Sequence, residues 1–318
     1  MFLRLHGGVG HRLRQRTGEG SMVRLAAFPK CYMDELCVTR GMTVFEWIAL
    51  ASTLPVEGVE MYDRFLVETT PGYLRRVRDA LDENGLAMPM MCYSPDFTLP
   101  DAGARRGEID RQKRVMEVTA TLGGRYCRVL SGQRRPLVSR EQGIAWVVEA
   151  IEALIPHALD LGLTLTLENH YKDNYWQHPE FAQFSNVFLE ILARVPSPTL
   201  AVNYDPSNAL LAGEDPIELL HKVKRRVATM HASDRTLKAG YTLDDLRAQE
   251  DSTGYASILQ HGEVGKGLND FDTIFSILRD AGFDGWVSIE DGVNGLDELR
   301  RSAEFLREKL GRYWPVAV

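Results

Sequence analysis

The chain has 318 residues, of which 44% are apolar and 25% charged, with a net charge of −7. That supplies one large core, at a size that single α/β barrels reach. The acidic balance excludes broad phosphate-backbone binding, which needs a basic face, and no apolar run reaches membrane-spanning length.

Residues 1–21, MFLRLHGGVGHRLRQRTGEGS, are basic and Gly-rich but lack the apolar middle of a secretory signal. They read as a flexible N-terminal extension, and Met22 begins a strand-like run. From there one theme repeats to residue 318: a short apolar run, an amphipathic stretch, then Gly or Pro. The expected strands are 23–29 (VRLAAFP), 58–63 (GVEMYD), 87–94 (AMPMMCYS), 126–132 (YCRVLSG), 163–169 (LTLTLEN), 200–206 (LAVNYDP), 227–233 (VATMHAS) and 286–292 (WVSIEDG). Between and after them lie helical stretches with apolar residues three and four apart. PGYLRRVRDALDENG carries Pro at its start and Gly at its end, and Ser139 with Gln142 suggests a capping box. Eight strands alternating with eight helices predict a single α/β domain over 22–318, a (β/α)8 TIM barrel. A doubly wound sheet would show fewer units and often a glycine fingerprint after its first strand, which is absent.

One connection breaks the rhythm. Some thirty residues, 236–266, separate the seventh strand from its helix, with TLDDLRAQE as a short helix inside. Such a loop is usually functional; in a barrel it lies on the face where active sites are built, so it reads as a lid or substrate-facing wall. The four cysteines, Cys31, Cys37, Cys92 and Cys127, form no C-x-x-C pair and read as reduced thiols of a cytoplasmic protein.

The last four strands end on chemistry. Glu168 closes the fifth, the sixth reaches Asp205, His231 lies near the end of the seventh and Glu290 near the end of the eighth. One alone would read as a turn, cap or core residue. Four on consecutive strands of a closed barrel converge on one side of its mouth and predict a metal site. Three carboxylates and one imidazole, without thiolate, suit Mn²⁺ above all, with Mg²⁺ and Co²⁺ as alternatives. Two open positions of an octahedron would take a hydroxyl and a carbonyl of a sugar. Glu168 and Glu290 would flank it as proton-transfer candidates. His170, two residues past Glu168, reads equally as a loop histidine and as a general acid or base beside the metal. Lys172 and His178 are weaker candidates of the same kind. Tyr171, Tyr175 and Trp176 offer either a stacking surface or packing under the loop.

At these residues the chain resembles the xylose isomerase-like TIM-barrel superfamily, over roughly 22–310. The marks are Glu168 at the end of LTLTLE, Asp205 and Asn208 in NYDPSN, and His231, Asp234 and Arg235 in HASDR. The most specific is HGEVGKGLNDFDTIFSILRDAGFDGWVSIED, ending at Glu290. The resemblance implies Glu168, Asp205, His231 and Glu290 as metal ligands, with Asn208, Asp234 and Arg235 behind them or on the substrate. Glu60 matches a common family glutamate that orients substrate or stabilises the mouth. It implies a divalent-metal-dependent sugar or keto-sugar isomerase or epimerase working by proton abstraction next to a carbonyl. The alternative is a keto-sugar lyase of the same fold, like inosose dehydratases or the C-glycoside deglycosidase α-subunits that cleave 3-oxo-glucosides with a small β-subunit. A non-catalytic sugar-binding barrel ranks below both. The expected partners are a small carbohydrate, a second copy of the chain and, for the deglycosidase reading, a small second subunit, with no nucleic acid and no membrane. Endonuclease four relatives carry extra histidines, whereas the early strands here end in Pro29, Asp63 and Ser94.

Overall fold

The computed structural model describes residues 23–248, 257–290 and 292–315. The expected extension at 1–21 lies outside the described residues, as do residues 249–256 of the long segment.

The strands are β1 (Arg24–Ala27), β2 (Gly58–Val59), β3 (Met61–Tyr62), β4 (Met90–Cys92), β5 (Tyr126–Val129), β6 (Thr164–Glu168), β7 (Leu200–Tyr204), β8 (Val227–Ala232), β9 (Arg235–Leu237), β10 (Leu259–His261) and β11 (Trp286–Ile289). Nine join in one sheet, β2-β1-β11-β8-β7-β6-β5-β4-β3, and every pairing in it is parallel. Its two end segments, β2 and β3, are separated only by Glu60. One interrupted strand thus pairs with β1 through its first half and with β4 through its second. The sheet ends meet on it, which makes the expected eight-strand barrel. The strands are shorter than the apolar runs suggested: β1 stops before Phe28 and Pro29, and β4 begins only at Met90.

Eleven α-helices are described: α1 (Met33–Cys37), α2 (Val44–Ala51), α3 (Pro71–Glu83), α4 (Ala102–Thr121), α5 (Arg140–Leu161), α6 (Ser185–Arg194), α7 (Pro206–Leu211), α8 (Pro216–Val223), α9 (Leu243–Arg247), α10 (Phe271–Asp280) and α11 (Leu296–Tyr313). Eight match the expected set. Of the others, α9 is the short helix anticipated in TLDDLRAQE, while α1 and α7 follow strand ends. Ser139 caps α5 through the Gln142 N–H, and Gly162 ends that helix in the left-handed region at φ 68°. Reciprocal capping boxes sit instead on α2, between Thr43 and Glu46, and on α9, between Thr242 and Asp245.

One apolar core fills the barrel and the layer under its helices. A satellite of Tyr171, Leu211, Leu246, Ile258 and Leu259 packs beneath the long segment. That segment is therefore anchored: β9 and β10 pair antiparallel within it. All four cysteines are free, two buried and two half-buried. Among the described residues no helix is long and apolar enough to cross a membrane.

Candidate metal centre

Parallel barrel strands are covered on both faces, so a charged side chain on one must be held by partners inside. The last residue of β6, the residue after β7, the penultimate residue of β8 and the residue after β11 supply Glu168, Asp205, His231 and Glu290. One ligand atom from each lies within 4.8 Å of the others, and all four residues are buried. Glu168 Oε1 and Glu290 Oε2 stand 3.1 and 3.2 Å from His231 Nδ1.

The remaining oxygen of each glutamate meets a cation. Arg128 on β5 is buried and reaches Glu168 Oε2 at 2.8 Å. Lys30, after β1, reaches Glu290 Oε1 at 3.1 Å. Burial raises both carboxyls, but His231 and Arg128 outweigh it at Glu168, bringing it down to about 2. Lys30 and His231 do the same at Glu290, which is held well below the usual range. Asp205 behaves oppositely: burial, then Glu290 and Glu168, push it up to about 7. It caps α7 by accepting from the Ser207 and Asn208 N–H groups and also accepts from Ser233 Oγ at 2.7 Å. The Asn208 side chain donates to Asp205 Oδ2 at 2.9 Å and Glu168 Oε1 at 3.3 Å. Asn169 exchanges two bonds with the Asp205 backbone, 2.6 and 2.9 Å. These braces fix three carboxylates around one imidazole. Their crowding, visible in Asp205, is what a doubly charged cation relieves, so the donor set fits a divalent ion.

The other expected residues divide. His170 and Lys172 line a pocket beside the cluster with Lys30, Tyr62, Arg128 and Glu290, while His178 does not. His170 Nδ1 lies 3.4 Å from Glu180 Oε2. The other Glu180 oxygen accepts from Ser131 N and Oγ at 2.6 and 2.5 Å. Burial lowers His170, but Glu168 and Glu180 outweigh it and leave it raised. Tyr171 packs in the satellite core, Tyr175 lies under the Arg64 guanidinium at 3.8 Å, and Trp176 meets the His170 ring edge-on.

Asp234 turns away from the cluster toward backbone. Its carboxylate accepts from the N–H groups of Arg235, Gly265, Gly267 and Asn269 at 2.9–3.1 Å. Arg235 is buried beside it, its guanidinium donating to the Asp234 carbonyl at 3.0 Å. Glu60 faces His231 from below, Oε1 to Nε2 at 2.8 Å.

Sequence reasoning missed Arg128, Lys30, Glu180 and Asp173, the last of which accepts from Ser94 Oγ at 2.6 Å. It also missed His261 on β10, which burial, then Arg235 and Lys30, pull down to about 3. Arg128 carried a signal: a charge inside a strand buried on both faces. Glu180 carried none, because the segment 169–184 has no periodicity to orient it.

Over residues 48–309 the chain matches the family model described as xylose isomerase-like TIM barrel. It belongs to that family. Among curated proteins it is similar to inosose dehydratase from Bacillus thuringiensis (strain Al Hakam), 24% identical over 123 residues. That match takes in 36% of this chain, and the chain spans only 40% of the length of that relative. Among solved structures it is similar to a D-tagatose 3-epimerase-like protein, with a TM-score of 0.71 at 16% identity over 92% of this chain and 98% of that one. It is also similar to the IolI protein with a bound zinc atom, with a TM-score of 0.69 at 16% identity over 92% and 100%. At these identities the structural likenesses establish the shared barrel.

Proposed function

We propose that this family member is a divalent-metal-dependent isomerase or epimerase of a sugar or keto-sugar, acting by proton abstraction next to a carbonyl. The observation that carries the reading is the buried cluster of Glu168, Asp205, His231 and Glu290 with His170 lining the adjoining pocket. Mn²⁺ is the ion proposed, with Mg²⁺ and Co²⁺ as alternatives; the oxygen-rich set supports that choice over zinc, although a zinc atom is bound in the IolI protein. A cation in the cluster would polarise the substrate carbonyl and favour loss of the neighbouring proton.

The chain's own residues supply the rest. Arg128 and Lys30 occupy one oxygen of Glu168 and Glu290, which keeps both ionised and makes them better ligands than bases. Proton transfer therefore falls to His170, which lines the pocket with Glu180 facing its Nδ1. Returning the proton on the same face to the neighbouring carbon gives the isomer; the epimer takes a second proton carrier on the opposite face, for which Glu168 and Glu290 are the candidates. Lys172 lines the same pocket and is proposed to hold substrate oxygens.

A second reading is elimination by the same enolate chemistry. It is favoured by His170, a proton carrier separate from the ligands and suited to protonating a leaving group, and by the similarity to an inosose dehydratase. Keto-sugars and 3-oxo-glycosides incubated with Mn²⁺-loaded protein in D₂O separate the two. Deuterium entering next to the carbonyl with an epimeric or isomeric product supports the first reading. Loss of water or release of an aglycone supports the second. A protein that takes up no metal and exchanges no proton sinks both.

A further inference from the structure

We propose that Glu60 is a positioning residue for the metal centre, holding the His231 imidazole so that Nε2–H points at Glu60 and Nδ1 faces Glu168, Asp205 and Glu290. The proposal rests on the metal-centre reading above.

Glu60 interrupts the second barrel strand. Its N–H donates to the Ala27 carbonyl at 3.0 Å, which pins the backbone to β1, and its side chain is buried in the lumen. Oε1 receives His231 Nε2 at 2.8 Å and the Cys92 thiol at 2.9 Å. Oε2 is buried and has no hydrogen-bond partner among the described residues. A carboxylate with one bare oxygen in a closed core is destabilising by itself, so its retention points to the histidine it faces. It lies too deep to meet a substrate entering from the mouth, because His231 stands between it and the cluster.

An imidazole has two nitrogens and, when neutral, one proton. The hydrogen bond made by the far nitrogen decides which one is left with a lone pair for a metal. Here the far nitrogen is Nε2, and Nδ1 is the atom turned to Glu168 and Glu290. Glu60, Cys92 and His231 also form a second group of ligand-type atoms within 4.8 Å. Two features turn that group into a brace. His231 cannot offer lone pairs on both sides while Nε2 is protonated. Cys92 spends its S–H on Glu60 Oε1 at 2.9 Å, so its sulfur is engaged as a donor.

The test titrates metal-stripped, full-length protein with Mn²⁺ alone and with Co²⁺ alone, measuring affinity, stoichiometry and absorption. The variants are Glu60→Gln, which keeps shape, and Glu60→Ala; circular dichroism of the metal-free forms checks the fold. The proposal expects one ion per chain in the wild type and no thiolate-to-cobalt charge-transfer band. It expects affinity weakened by about 10–100-fold in the variants, less for Gln than for Ala, since the amide oxygen still accepts from Nε2–H. In nitrogen-15 histidine spectra of Zn²⁺-loaded protein, the His231 Nε2 proton should persist in the wild type and exchange faster in Glu60→Ala. Variants that bind the ion as tightly as a metal-binding wild type overturn the Glu60 role and leave the metal centre standing. A wild type that binds no ion overturns both. Two ions per chain with a thiolate band would make the Glu60 side a second metal site and refute the brace.

Discussion

Arg128→Met tests the electrostatic design of the centre. The guanidinium is buried, paired to Glu168 at 2.8 Å and donating to Ser94 Oγ at 3.1 Å. Methionine fills similar space but leaves Glu168 facing His231 with one cation fewer. Breaking a buried pair by removing one partner costs about 3–5 kcal/mol. At about 2.1 cal/mol/K per residue the unfolding entropy of this chain is roughly 0.67 kcal/mol/K, so the metal-free variant should melt about 4–8 °C below the metal-free wild type. Part of that loss should return on metal loading, because the ion supplies positive charge to Glu168. The assay is calorimetry of both proteins, stripped and with saturating Mn²⁺. A metal-free difference under about 1 °C, the range of neutral surface changes, would refute the reasoning. So would an equal difference with and without metal.

Stability of the metal-free protein should depend on pH. Asp205 ionises near 7 when folded against 3.8 as its ordinary value. Its contribution is complete below 3.8 and lost as pH rises through about 7; His231, raised above 6.5, acts in the same direction. The melting temperature should therefore fall between about pH 4 and about pH 7 through Asp205 and go on falling above 6.5 through His231; saturating Mn²⁺ should flatten the whole profile and Asp205→Asn its lower part. Gly267→Ala would drive its Cβ into Asp234 Oδ1 and the Arg235 carbonyl; a loss of about 1–3 kcal/mol is expected in chemical denaturation. His170→Ala should slow proton exchange into substrate by about 10²–10⁴-fold with metal content unchanged. Unaltered exchange would return His170 to an ordinary loop role.

The barrel was legible because its strands are hydrophobic on both faces and its helices repeat at their own period. The four clustered residues were legible for a related reason: a carboxylate or imidazole closing an apolar run stands out, and four in succession fix a side of the barrel. What those residues touch was not legible. Glu60 lies inside its run, not at the end as Glu168 does, and it meets His231 from beneath, because the interrupted strand sets its height in the lumen. Asp234 reads as one more strand-end acid, but its partners are backbone N–H groups some thirty residues further on. Lys30 and Arg128 come from the opposite half of the chain to Glu290 and Glu168, and no local pattern links them.

The Asp234 clamp has a consequence for how the mouth can change. By gripping residues 265–269, it joins the two ends of a thirty-residue detour directly at the barrel rim. The helix that follows leaves from the clamp, and the strand after it, with Glu290, is held by its pairing with β1 and β8, so neither takes its position from the detour. What lies between is then a cassette on a closed clasp. Its length and composition can drift, or be exchanged in the laboratory, while the four clustered residues stay in register, which makes it the part of this protein best placed to diverge in what the mouth admits.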